Sequence, residues 1–303
     1  MDGILPLWKP MGLTSHDCVF KIRKMLRTKK VGHTGTLDPD VEGVLPICLG
    51  KATKIAEYIT DAGKVYEGEV TLGFSTTTED ASGDVVESNK VDRNISIEEI
   101  KTVLQSLTGE IEQTPPMYSA VKVNGKRLYE YARAGILVDR PSRKVNIYDL
   151  TLFNESISAK DGLVSFAFRV HCSKGTYIRT LSVMIGEKLG FPAHMSKLTR
   201  VASADFTVND CVTFDTLERI IEEGKLADII YPLEKGISHL PIYQLDDNLA
   251  LKVKNGAVLT KPKTWPEGEV VMTYHDMALA IYQAHPEKEN VIKPVKVLRN
   301  ENI

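Results

Sequence analysis

Within residues 30–50, KVGHTGTLDPDVEGVLPICLG, two glycines, a histidine, two threonines and an Asp-Pro pair crowd the ten positions before an apolar run. Pro39 is fixed in φ, and Gly32 and Gly35 let the chain bend sharply, so the Asp38 carboxylate would leave this turn in a set direction. A carboxylate held that way can serve as a nucleophile or as an acid/base group. The same local geometry would also suit an Asx turn in which Asp38 only caps its own backbone. Two look-alikes fail. GVLPICLGKAT resembles a phosphate loop, but six residues rather than four separate Gly43 from Gly50, and Ala52 stands where Ser or Thr would bind magnesium. GHTG is not a dinucleotide fingerprint, and His16, His33 and His171 do not fall at zinc-ligand spacings, so no metal and no cofactor is expected.

The elements that must position such a turn read as α+β. Thr14-Ser15-His16-Asp17 has the form of an N-cap with an acid three residues on, followed by Val19, Ile22, Met25 and Leu26 on one helical face. Lys64–Phe74 alternates as a strand and STTTEDASGD follows as a loop. A capping box at Ser96 and Glu99 opens a helix that Gly109 would stop, Leu163–Val170 is a strand, and Thr176–Leu189 a helix ending at Gly190. From about residue 240 short apolar runs spaced by Gly and Pro suggest a small all-β module. The expected domains are therefore 1–240 and 241–303.

A chain of 303 residues, 43% hydrophobic and 26% charged, can bury a sizeable core. No stretch of 18 apolar residues occurs and MDGILPLWKP lacks the form of a signal peptide, so a cytoplasmic protein without a membrane partner is expected. Cys18, Cys48, Cys172 and Cys211 are far apart and read as inert thiols. The net charge of −2 hides segregation: residues 21–30 carry six basic groups and no acid, residues 114–146 seven against two, and residues 171–200 five against one. Basic segments offset by acidic ones elsewhere can form one positive face for a polyanion.

Several separated blocks together resemble one family. They are LWKPMGLTSHDCVFKIRK, GHTGTLDPDVEGVLPICLGKATK, KVYEGEVTLGFSTTTEDASGD, QTPPMYSAVKVNGKRLYEYAR and CSKGTYIRTLSVMIGEKLG. Covering most of residues 1–200, they are similar to the TruB family of tRNA pseudouridine synthases, and the C-terminal part resembles that family's PUA module loosely. The resemblance implies a pseudouridine synthase fold, a mixed, mostly antiparallel central sheet flanked by helices, with a small β-barrel-like PUA module. It implies a stand-alone enzyme acting on uridine 55 in the T-loop of tRNA, with an RNA-clamping insertion at about residues 112–146 and a C-terminal grip on the acceptor arm.

By the same resemblance Asp38 is the catalytic residue, Arg179 the arginine that pairs with it, and Tyr66 the active-site tyrosine that stacks on the target base. Tyr177 and Leu198 match further pocket positions, and Asp80 an acidic position that would organise Arg179 or its loop. His33 would assist RNA binding or base extrusion. Lys9, Lys21, Lys54 and Lys174 are candidate phosphate contacts, as are Lys122, Lys126 and Arg127 of the insertion. A monomer without obligate protein partners is implied. The alternatives are an RNA-guided synthase of the dyskerin type and a non-catalytic tRNA-binding or folding protein.

Overall fold

The computed structural model describes residues 1–300 and resolves the chain into two compact units: Met1–Pro39, Val44–Thr60 and the chain from Ala204 onward form one, Asp40–Gly43 and Asp61–Ser203 the other. The first unit opens with β1 (Gly3–Lys9), α1 (Ser15–Met25), β2 (Val31–His33) and most of β3 (Glu42–Leu49). Thr14 caps α1 in a reciprocal box with Asp17, satisfying two of the amides that a helix start leaves without partners. Val19 and Ile22 then face the core and Lys21, Arg23 and Lys24 face outward. β2 runs antiparallel to β3, pairing Val31 with Leu49 and His33 with Ile47. A 3₁₀ turn at Gly50–Ile55 leads into α2 (Ala56–Asp61).

The second unit comprises β4 (Lys64–Leu72), β5 (Phe74–Thr76), β6 (Val85–Ser88), α3 (Ile97–Ser106) and β7 (Gly109–Gln113). A small hairpin follows, β8 (Lys122–Val123) and β9 (Lys126–Arg127), then α4 (Leu128–Arg133). β10 (Arg143–Lys160), β11 (Leu163–Cys172), α5 (Ile178–Leu189) and β12 (Ala193–Ser203) complete it. The strands lie in the order β12-β4-β11-β10-β7, antiparallel throughout, and Glu42–Gly43 at the start of β3 add a parallel pairing to Thr199–Arg200. This is the expected mixed, mostly antiparallel sheet. α5 packs on β12 and β4, and α3 on β10 and α5.

Two details depart from the sequence reading. The strand expected through Phe74 stops at Leu72, because Gly73 takes φ +119° and its amide turns to the Pro192 carbonyl. At α3 the Ser96 cap forms, but the Glu99 carboxylate goes to the Arg93 guanidinium at 2.7 and 2.9 Å instead of returning to the cap. A charged, bidentate partner outcompetes a single backbone amide.

From Ala204 the first unit resumes with β13 (Phe206–Thr207), α6 (Phe214–Glu222), β14 (Ile242–Gln244), α7 (Asp247–Lys254), β15 (Leu259–Thr260), β16 (Val270–Tyr274), β17 (Met277–Ala284) and β18 (Val291–Val297). The order β14-β16-β17-β18-β15 curls into a half-barrel, as a PUA-like module requires. The module is not all-β: α7, capped by Asp246, buries Ala250 and Val253 against the sheet. Its outer residues Val271, Ala278, Ile281 and Leu298 share one core with Ile4, Val44, Ile55 and Ile59.

Candidate active site

In the first unit the chain between β2 and β3 is pinned on both sides of Asp38. On one side, Leu37 is buried, its amide donates to Ser15 Oγ at 2.8 Å, and Ser15 Oγ donates to its carbonyl at 3.3 Å. On the other, the Pro39 carbonyl accepts from the Gly12 amide at 2.9 Å and from Lys9 Nζ at 3.2 Å. Thr34 Oγ1 donates to the Pro46 carbonyl at 3.0 Å, and His33 Nδ1 accepts from the Gly35 amide at 3.4 Å, closing the Gly-His-Thr-Gly turn. Asp38 itself is half-buried. The bends that the glycines permit are therefore locked by α1 and β1, which is what holding a reacting group in one direction requires.

Lys9, expected as a phosphate contact, has no exposed surface: its ammonium donates to the Pro10 carbonyl at 2.9 Å as well as to Pro39. A buried ammonium must be hydrogen-bonded. Here it braces the residue after Asp38.

In the second unit the first turn of α5 carries Arg179, only 7% exposed. Its Nη1 donates to the Thr78 carbonyl at 3.1 Å and lies 3.8 Å from Asp80 Oδ2, and its Nη2 donates to the Tyr118 carbonyl at 3.1 Å. Asp80 in turn accepts from Thr78 Oγ1, Ser82 N and Ser82 Oγ at 2.6–2.9 Å. Its Oδ1 thus ties the loop together while its Oδ2 faces the Arg179 guanidinium. The guanidinium plane is set by three groups from two separate loops, a rigidity that a flexible ammonium could not reproduce.

Tyr66, 8% exposed, sits on β4 opposite Arg200 of β12, and Leu198 opposite Gly68. Paired residues of antiparallel strands share a face, as do residues two apart, so Tyr66 and Leu198 are diagonal neighbours on one face. A side chain at Gly68 would stand 2.6 Å from the Phe168 ring, which fills the space beside that position. Tyr177 precedes α5 and is clamped by Gln113, whose amide side chain donates to its carbonyl and accepts from its amide at 3.2 and 2.9 Å. The Arg143 guanidinium lies over its ring at 5.2 Å.

Sequence reasoning passed over Glu79. It adopts φ +63°, its carboxylate accepts from Thr180 Oγ1 at 2.7 Å, and its carbonyl accepts from the Met195 amide. Burial pushes its carboxyl pKa up, against the Thr180 hydrogen bond and the charges of Arg179 and Arg140. Nothing in TTTEDASG distinguishes it from Asp80; only the fold turns one to Thr180 and the other toward Arg179, neighbours at the start of α5.

The cationic candidates divide. Lys122, Lys126 and Arg127 are exposed on the β8–β9 hairpin, whose Asn124-Gly125 turn has both residues at positive φ. Lys54 Nζ instead donates to the carbonyls of Val297 and Leu298, Lys174 pairs with Asp61 at 2.6 Å, and the Lys21 ammonium lies over the Phe214 ring at 4.2 Å. Burial raises the thiol pKa of Cys48 to about 12 and of Cys172 to about 11. Among the described residues no cluster of three or more His, Cys, Asp or Glu could hold a metal ion, and no helix is long and apolar enough to cross a membrane.

The sequence profile of the TruB family pseudouridylate synthase N-terminal domain matches residues 23–178, and that of the tRNA pseudouridylate synthase B C-terminal domain residues 179–238. The chain is 58% identical over 302 residues to the tRNA pseudouridine synthase B of Geobacillus thermodenitrificans, covering 99% of this chain and 100% of the relative. It is 55% identical over 307 residues to that of Bacillus subtilis, covering 100% and 99%. Among solved structures it is similar to a chain in a Cbf5-Nop10-Gar1 complex, with a TM-score of 0.74 and 31% identity over 98% of this chain and 85% of that one. A chain of an H/ACA RNP bound to a substrate RNA containing 2′-deoxyuridine gives 0.72 and 28% over 98% and 84%.

Proposed function

The chain belongs to the TruB family of pseudouridine synthases, and from that premise we propose that its target is the T-loop uridine at tRNA position 55, with Asp38 as the nucleophilic or basic group. The enzyme isomerises uridine in tRNA to pseudouridine. That reaction breaks the N1–C1′ bond, turns the uracil and closes a C5–C1′ bond. A proton leaves C5 and one is taken up at N1, so the overall change needs neither an oxidant nor an energy source. A carboxylate held at the sugar or base can attack carbon or take a proton, as in glycosidic-bond cleavage. No leaving group is lost, so no second carboxylate is needed to activate water.

A uridine in a folded loop must first be unstacked and flipped, at a cost of a few kcal/mol. Tyr66 and Leu198 are proposed to receive the flipped base, His33 to assist its extrusion and Arg179 to orient the reacting groups. The β8–β9 hairpin is proposed to grip the target arm and the half-barrel the acceptor arm, in a monomer with no obligate protein partner. Lys9 is assigned to bracing the Asp38 turn. The observation that carries this reading is the double anchoring of Leu37 and Pro39 around a half-exposed Asp38.

The test is pseudouridine mapping in unmodified tRNA incubated with the pure protein and no guide RNA. Product should appear at position 55 alone, and Asp38→Asn should abolish turnover with tRNA affinity nearly unchanged, since the phosphate contacts survive. Turnover of Asp38→Asn within tenfold of wild type, or product at another position, overturns the reading.

A further inference from the structure

The C-terminal half of α1 and the turn after it carry a feature that the reaction does not use. Phe20 is 67% exposed, and Phe20, Arg23, Lys24, Arg27, Thr28 and Lys29 line a shallow pocket of about 470 Å³. Arg23 Nη2 donates to the Val31 carbonyl at 2.9 Å, which fixes its guanidinium at the rim. Lys24, Arg27 and Lys29 are exposed and make no ion pair among the described residues. The turn is held by the Leu26 amide on the Ile22 carbonyl and the Thr28 amide on the Arg23 carbonyl, with Arg27 at φ +48°.

An exposed aromatic ring amid cations that lack carboxylate partners fits one ligand chemistry closely. Unpaired nucleic acid stacks its bases on an aromatic face and places its phosphates on surrounding Lys and Arg. An acidic protein surface would use the cations and leave the ring uncovered. The pocket is also separate from Asp38. Ser15, which holds Leu37, faces inward, whereas Phe20 lies five residues on, about 140° round the helix, and Lys24 is a further turn along, roughly 13 Å from Ser15 at 1.5 Å per residue. A base on Phe20 is therefore not the base that reacts.

We propose that Phe20, Lys24, Arg27 and Lys29 form a second RNA site, which stacks an unpaired base of the tRNA outside the target arm and binds its flanking phosphates. It rests on the T-arm reading only in defining which arm lies outside.

The experiment compares full-length tRNA with the isolated T-arm stem-loop, measuring Kd and single-turnover product for wild type, Phe20→Ala, Phe20→Tyr and the triple variant Lys24→Ala, Arg27→Ala, Lys29→Ala. Phe20→Ala should weaken full-length tRNA roughly five- to 150-fold, with Phe20→Tyr near wild type. The triple variant should lower the salt slope by about two to three. Stem-loop affinity and product yield at saturating RNA should not move. Equal losses on both RNAs would put the pocket on the target arm and overturn the second site, and unchanged affinity for both would overturn RNA binding there. A Phe20→Tyr variant as weak as Phe20→Ala would overturn stacking. Failure of the T-arm reading would look different, because wild type would then form no product on the stem-loop.

Discussion

At the scale of single residues, the site depends on groups whose partners are backbone carbonyls. Arg179 spends two donors on the Thr78 and Tyr118 carbonyls and sits 3.8 Å from Asp80. Arg179→Lys offers a point charge that cannot reach all three partners and loses the planar fork that orients the group. Its kcat should fall about a hundredfold or more with tRNA affinity within about threefold; near-normal turnover would reduce Arg179 to packing. Glu79 gives a pH signature. Burial raises its folded-state pKa above the ordinary 4.5. The stability linked to it is thus complete below that value and is lost as pH rises through the raised folded value. Glu79→Gln keeps an acceptor for Thr180 and cannot ionise, so in thermal melts it should exceed wild type at about pH 8 and converge with it below pH 4.5. Parallel curves would show that Glu79 is solvated. Neither behaviour is legible in TTTEDASG, since both arise from what α5 and the Tyr118 loop bring to that segment.

Among the elements, the β8–β9 hairpin is a small device with a large charge. Its Asn124-Gly125 turn matches the strand twist and sets Lys122, Lys126 and Arg127 out into solvent. Arg143, by contrast, is engaged over Tyr177 and is not counted as a phosphate contact. Replacing the three hairpin cations by Ala should flatten the slope of log affinity against log salt by about two to three, at roughly 0.7–0.9 per contact, with turnover at saturating RNA less affected. An unchanged slope would remove the hairpin from the RNA interface. Local signals served well elsewhere: the Thr14–Asp17 box and the Gly190 stop are both decided within a few residues. They failed at Gly73, whose amide turns to the distant Pro192 carbonyl, and at Glu99, where Arg93 six residues earlier takes the carboxylate, and they passed over α7 despite its local Asp246 cap.

For the whole molecule, the half-barrel is an RNA-binding candidate that also helps to build a core. Val271, Ile281 and Leu298 pack with Ile4, Val44 and Ile55, and at about 1.5–3 kcal/mol for each buried side chain their loss approaches the 5–15 kcal/mol that typically separates folded from unfolded. A chain of residues 1–240 should therefore melt far below the full chain or not fold at all; a melt within a few degrees of it would show that the core does not need the module. The Thr14–Asp17 cap of α1, the alternation of β4 and the Gly190 stop of α5 were determined by the sequence alone, because capping and strand alternation are local, and Asp38, Tyr66 and Arg179 came forward through the family resemblance. The tertiary structure alone decided where long side chains end. Lys9 turned from a phosphate contact into a buried brace, Lys54 went to the carbonyls of Val297 and Leu298, and Glu79 became a half-buried acid held by Thr180. A lysine or glutamate reaches several ångströms from its backbone, and which partner meets it there depends on segments far away in the chain.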